Sequence, residues 1–170
     1  MTKYLTQFGM AAIRRKMALL AEKREEALQG AGEAAQNDPN SYHDNFEYEE
    51  GMRQQEMFSH RLRSLHKLLE GASIAPPPAN NDRVAIGHCV RLRRQDDAGP
   101  PAEETLVLGG DGEGALFENS CSVSSPMGQT LLGMARDEIR TVPLAQRSFS
   151  IQVLEIRVAT SADLHAAATD

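Results

Sequence analysis

The chain has 170 residues, 41% of them hydrophobic, and a formal net charge of −6. That length makes one domain or two small ones with a real core, and its apolar runs fall far short of the roughly 20 residues a bilayer helix needs. The opening MTKYLTQFGM lacks the uninterrupted apolar stretch of a signal peptide, so a cytoplasmic protein with no membrane contact is expected. Cys89 and Cys121 stand alone, without zinc-ligand or disulfide spacing, and read as reduced core residues. Net acidity weighs against a sequence-independent grip on nucleic acid, which relies on neutralising phosphates with Lys and Arg. Aromatic residues make up only 5% of the chain, with no Trp, which suits a long helical part better than a compact sandwich.

The first element spans about Phe8 to Gln36. Ile13, Met17 and Leu20 fall at spacings of 4 and 3, and Ala27, Ala31 and Ala34 continue the stripe, so a long amphipathic helix is predicted. Asn37-Asp38-Pro39-Asn40-Ser41 is dense in turn formers, and Pro39 stops the helix. A second helix is predicted from about Asn45 to Gly71, with Phe58, Leu62, Leu65 and Leu69 forming an a/d seam. The two make an antiparallel coiled-coil hairpin, residues 1–73, about 40 Å long at 1.5 Å per residue.

Charge is unevenly placed along that hairpin. The 28 residues between Arg24 and Arg53 contain no Lys or Arg but hold Glu25, Glu26, Glu33, Asp38, Asp44, Glu47, Glu49 and Glu50. A hairpin turning near Pro39 therefore carries a negative tip. The plain alternative is a solvated acidic face, with Asp44 as the N-cap of the second helix and Glu47 completing a capping box. Phe46 and Tyr48 are expected to pack near the tip.

Residues 74–82, rich in Pro, Ala and Asn, read as a stiff extended linker. In the globule that follows, residues 83–158, Ile86, His88, Val90 and Leu92 alternate on one face of a strand over Arg83–Arg94. Further strands are predicted over Thr105–Leu108, Ala115–Val123 and Ser148–Val158. A short helix is predicted from Pro126, with Ser124 and Ser125 as cap candidates. The fold class is thus α+β, a helical hairpin followed by a small antiparallel-sheet domain. The last residues, 159–170, are small and polar and are expected to fray as a disordered tail.

Taken in order, these residues resemble the Gre family of bacterial transcript-cleavage factors. Leu5-Thr6-Gln7-Phe8-Gly9 is similar to the family's Leu-Thr-x-x-Gly, and Asp44-Asn45-Phe46-Glu47-Tyr48 to its Glu-Asn-Ala-Glu-Tyr, with Gln54-Gln55 following. Ser122 to Gly128 resembles its Ser-x-x-Ser-Pro-x-Gly, Leu131-Leu132-Gly133 its Leu-Leu-Gly, and Asp137 sits at its Gly-Asp. The resemblance implies an FKBP-like C-terminal domain docked on bacterial RNA polymerase through Ser124, Ser125, Pro126, Met127 and Gly128. It also implies a hairpin in the secondary channel, where two acidic tip residues help hold a second Mg²⁺ and orient water, so that polymerase itself cleaves backtracked RNA. The factor is then a monomeric protein cofactor, not an enzyme, meeting the nascent RNA 3′ end only at that metal and reading no DNA sequence.

The tip departs from the family pattern. Asp44 replaces the family's Glu, and Ser41 stands where the family has Asp. Asp44, Asp38, Ser41 and Glu47 are the candidate catalytic residues and Asp44 and Asp38 the candidate metal ligands, with Asp38 able to swing into the missing acid's role or His43 able to hydrogen-bond a water. The alternative is a Gre-like regulator that occupies the channel without cleaving. A structural oligomerisation module is a third reading, disfavoured because the seam toward the tip is Ala-rich. Zinc-finger channel binders are excluded by the two isolated cysteines.

Overall fold

The computed structural model describes residues 3–37, 46–96, 99–143 and 148–165. The chain divides into two compact units, Ala11–Glu70 and the combination of Met1–Met10 with Gly71–Asp170.

The helical unit is built from α1 (Gln7–Asn37), apart from its first turn, and α2 (Phe46–Leu69). At 1.5 Å per residue these are about 46 and 36 Å long. The stripe expected on α1 is the face that closes: Ile13, Leu20, Ala31 and Ala34 are buried, and on α2 Leu62 is buried while Phe58, Leu65 and Leu69 are half-covered. The Ala-rich end lets the helices approach closely. A Cβ added to Gly51 would lie 2.8 Å from the Ala31 Cβ and 3.0 Å from the Ala27 carbonyl oxygen. Glu50 accepts from Arg53 at 2.6 Å and from Gln54 at 2.8 Å along one face of α2.

The other unit opens with β1 (Lys3–Leu5), which pairs in parallel with β2 (Ala72–Ile74). Its main sheet contains β3 (His88–Asp96), β4 (Ala102–Gly109), β5 (Ser120–Ser122), β6 (Ile139–Pro143) and β7 (Ser148–Val158), in the order β5-β4-β3-β7-β6. The sheet is mixed rather than wholly antiparallel, because β5 runs parallel to β4. The strand expected over Ala115–Val123 reduces to β5, preceded by a 3-10 turn at Glu113–Ala115.

One face of the sheet buries Val90, Leu92, Leu106, Leu108, Ile151 and Val153 beneath Leu131 and Met134. Leu131 belongs to the short helix α3 (Pro126–Leu131). Arg91 pairs with Glu155 but Leu92 with Val153, so Leu154 is the extra residue of a bulge. This is why inward positions on β7 run 149, 151, 153 and then 156. The opposite face carries a small cluster of Cys89, Val107 and Ala159 at one end. At the other, Arg91 and Arg93 pair with Glu103, at 3.3 and 2.9 Å, and Arg91 also with Glu155 at 3.4 Å.

The fraying expected from Ala159 onward is not what Ala159–Asp163 show. Ala159 is buried, and a 3-10 turn at Ser161–Asp163 is held by a capping box between Thr160 and Asp163. Arg157 grips Asp163 with two hydrogen bonds, one of them 2.7 Å, and this pairing holds the Asp163 carboxyl well below the usual carboxylate range.

His88, at the start of β3, is wholly buried. Its Nδ1 accepts from the Ala85 N–H at 3.0 Å, which fixes the neutral ring with its proton on Nε2, and Nε2 meets no hydrogen-bond geometry with any of the described residues. Burial pushes the His88 pKa down, and backbone oxygens near Asn80 and Arg83 offset this only in part. Because the unfolded chain binds the proton more readily, stability falls as pH drops below about 6.5 toward the depressed native value. Urea midpoints at pH 7.5 and 5.5 should therefore separate more in the wild type than in His88→Leu, and equal separations would refute the assignment.

Candidate functional site

Two sites carry the residues singled out above, and a third emerges from the fold. On the hairpin, Glu47 and Glu49 lie exposed in the first turn of α2, where negative charge favours the helix N-terminus. Phe46, expected to pack, is instead 76% exposed, whereas Tyr48 is half-buried. An aromatic ring opening a two-helix layer has no third element to cover it. Asp38, Ser41, His43 and Asp44 lie outside the described residues, so their convergence on a cation remains an expectation from sequence. Among the described residues no group of three or more His, Cys, Asp or Glu side chains could hold a metal ion.

The second site is the loop before α3, where the sequence-predicted residues divide by role. Ser125 caps α3: its hydroxyl accepts from the Gly128 N–H at 3.0 Å and donates to the Ser122 carbonyl at 2.7 Å. Ser122 ties the loop to the Gly-rich turn, donating to the Gly110 carbonyl and accepting from the Gly112 N–H, each at 3.0 Å. Gly128 is buried against the Ser122 carbonyl. Those three residues build the loop, while Ser124 and Pro126 are exposed, Met127 is half-buried and Leu132 is 44% exposed. A partner would meet the second set. Cys121 lies 3.1 Å from the Ser125 hydroxyl, and burial pushes its thiol pKa up, which makes it a poor nucleophile.

The third site was not foreseen. Glu113 is 2% exposed, accepting from the Thr6 N–H at 2.5 Å and from the Thr6 hydroxyl at 2.8 Å. Thr6 in turn N-caps α1, its hydroxyl accepting from the Gly9 N–H at 2.9 Å. Burial pushes the Glu113 carboxyl up, and the two Thr6 hydrogen bonds counter this. Room for the carboxylate exists because residues 9 and 109 lack side chains: added Cβ atoms would lie 2.2 and 2.8 Å from it. The sequence signal was present in Gly109-Gly110-Asp111-Gly112-Glu113-Gly114, an acid inside a run of glycines.

Comparison with known proteins explains why these features occur together. Residues 79–158 match the family model described as "Transcription elongation factor, GreA/GreB, C-term". Transcription elongation factor GreA 1 of Lactiplantibacillus plantarum is 30% identical over 153 residues, covering 90% of this chain and 94% of that protein. The chain belongs to the GreA/GreB family of transcription elongation factors. GreA of Prosthecochloris aestuarii is 31% identical over 157 residues, covering 91% and 96%. The crystal structure of GreA factor homolog 1 (Gfh1) of Thermus thermophilus is 21% identical over 92% of this chain and 99% of that one, with a TM-score of 0.41.

Several Gre motifs thereby acquire a physical cause. Leu-Thr-x-x-Gly is the anchor of the first helix: Leu5 is fully buried, Thr6 binds Glu113, and Gly9 leaves space for that carboxylate. In Leu-Leu-Gly, Leu131 is core and Gly133 takes a left-handed φ of 77°. Asp137, at the family's Gly-Asp, has a φ of 64°, in the left-handed region that favours glycine, and the carboxylate beside it, Glu138, accepts from the Ala135 N–H at 2.8 Å. Since glycine adopts that conformation without steric cost, Asp137→Gly should raise unfolding stability by about 0.5–1 kcal/mol, measured by urea denaturation. A loss instead would mean that the Asp137 side chain stabilises the turn.

Proposed function

We propose that this elongation factor binds bacterial RNA polymerase as a monomer in the cytoplasm, enters the secondary channel with its hairpin, and stimulates the polymerase's own cleavage of backtracked RNA. The observation that supports this reading is the pairing of α1 and α2 in a Gre-family chain whose 28-residue cation-free window spans the join between them. The window itself contains no Lys or Arg, so its far end suits a divalent cation.

Asp44 and Asp38 supply hard carboxylate oxygens, the donor type Mg²⁺ requires, and would share the ion with polymerase. When bound, Mg²⁺ supplies a polarised water for in-line attack on the phosphodiester. Glu47, one residue into α2 and exposed, is within a helical turn of Asp44 in sequence and adds a further acid beside that site. Ser41, neutral and a weak ligand, leaves the site one acid short of the family pattern. Ser124, Pro126 and Met127 supply the surface that docks the globular unit on polymerase.

A backtracked-complex assay with purified polymerase and Mg²⁺ tests this reading. RNA should shorten faster than the intrinsic rate, Asp44→Ala should remove the stimulation by about 100-fold or more while binding persists, and Ser41→Asp should increase it. Binding with no shortening above the intrinsic rate would overturn cleavage in favour of a channel-occupying regulator.

A further inference from the structure

We propose that the groove beside the first turns of α2 receives an arginine-bearing segment of the polymerase protein, its guanidinium stacked on Phe46 and paired with Glu47; this rests on the polymerase-binding reading above. Phe46 is the most exposed large hydrophobic residue among those described, at 76%. The family's signature carries Ala at that position, so a ring there is not needed to pair the helices.

The groove runs along the join of the two helices, with small residues Ala27, Ala31 and Gly51 in its lining and Phe58 in its wall. Its charged lining is Glu26, Glu47, Glu50 and Lys23. Glu50 is already held by Arg53 and Gln54, whereas Glu26 and Glu47 form no ion pair among the described residues. That chemistry selects the occupant. Phosphates of an RNA strand would meet uncompensated carboxylates, and a purely aliphatic side chain would desolvate those carboxylates without pairing them. A guanidinium does both tasks, lying flat on an aromatic face and forking onto a carboxylate. A lysine ammonium supplies the charge but not the planar stack.

The test is the affinity of the full chain for core polymerase free of nucleic acid, at low and high salt. Phe46→Ala should weaken binding by about 10-fold, Phe46→Trp should keep it, and Glu47→Gln should weaken it mainly at low salt. Phe46 is exposed, so its variants should melt as the wild type does. Three outcomes would overturn the contact: Phe46→Ala binding as the wild type, Phe46→Leu binding as well as Phe46→Trp, or a loss confined to backtracked complexes with extruded RNA, which would mean base stacking. A wild-type chain that does not bind core polymerase would refute the underlying function instead.

Discussion

Removing the Glu113 side chain should cost the protein about 3 kcal/mol of unfolding stability, seen as a large drop in urea midpoint for Glu113→Ala. The carboxylate accepts two hydrogen bonds from Thr6 at a site only 2% exposed, and each buried donor left without an acceptor costs about 1–3 kcal/mol. A void of several atoms adds to this. Release of a desolvated carboxylate offsets part of the loss. Glu113→Gln should be far milder, because an amide accepts from the Thr6 N–H and donates to its hydroxyl. It should also change the pH profile. The Glu113 pKa is raised above its ordinary 4.5, so the stability linked to its protonation is complete below 4.5 and is lost as pH rises through the native value. Glu113→Gln removes that slope.

Gly9 offers a sharper check of the same contact. A Cβ there would lie 2.2 Å from both the Glu113 carboxyl carbon and Oε1, so Gly9→Ala must dislodge the carboxylate from Thr6 and should cost about as much as deleting it. In the Glu113→Ala background the clashing atoms are gone, and alanine is the better helix former. The double variant should therefore be little worse than Glu113→Ala alone. Additive losses would show that the residues do not act through one contact.

The contrast between helices and anchor shows what a sequence makes legible. Both long helices follow from apolar spacing, and the Ile13 to Ala34 stripe is the face that closes, because 3.6-residue periodicity is local and repeated. The three-residue strands β1 and β2 have no such signal, since their pairing joins segments far apart in the chain. Glu113 is hidden for the same reason: its partner is 107 positions away, and acids among glycines read as a turn. The strand expected across Ala115–Val123 shortens to β5 because Glu113–Ala115 turns back and Ser122 spends its hydroxyl on the Gly-rich turn. Phe46 is exposed rather than packed because a two-helix layer has no third element to cover it. Asp38, Ser41 and Asp44 lie outside the described residues, and their proposed chemistry is read from the charge window and the family motif in the sequence.

Gly128→Ala should be among the most damaging single-methyl changes in the globular unit, costing about 3 kcal/mol or more. The added Cβ would lie 2.0 Å from the Ser122 carbonyl oxygen, 2.8 Å from its carbon and 2.9 Å from the Val123 Cα. These are backbone atoms. They cannot swing aside as a side chain would, and the Ser122 carbonyl is also the acceptor for the Ser125 hydroxyl that caps α3. The clash therefore breaks the cap as well as the packing, losses that separately reach about 1–3 kcal/mol and about 1 kcal/mol. Pro126→Ala makes the opposite case. Pro126 is exposed at the first position of α3, where proline donates nothing and only presets the backbone, so its loss should cost about 0.5 kcal/mol. Measured side by side, thermal melts and polymerase binding separate the motif's two roles. Gly128→Ala should lose both together, and Pro126→Ala should keep its melting temperature within a few degrees, so that any fall in its affinity reports a direct contact. A Gly128→Ala protein as stable as the wild type would refute the close approach on which α3 is seated.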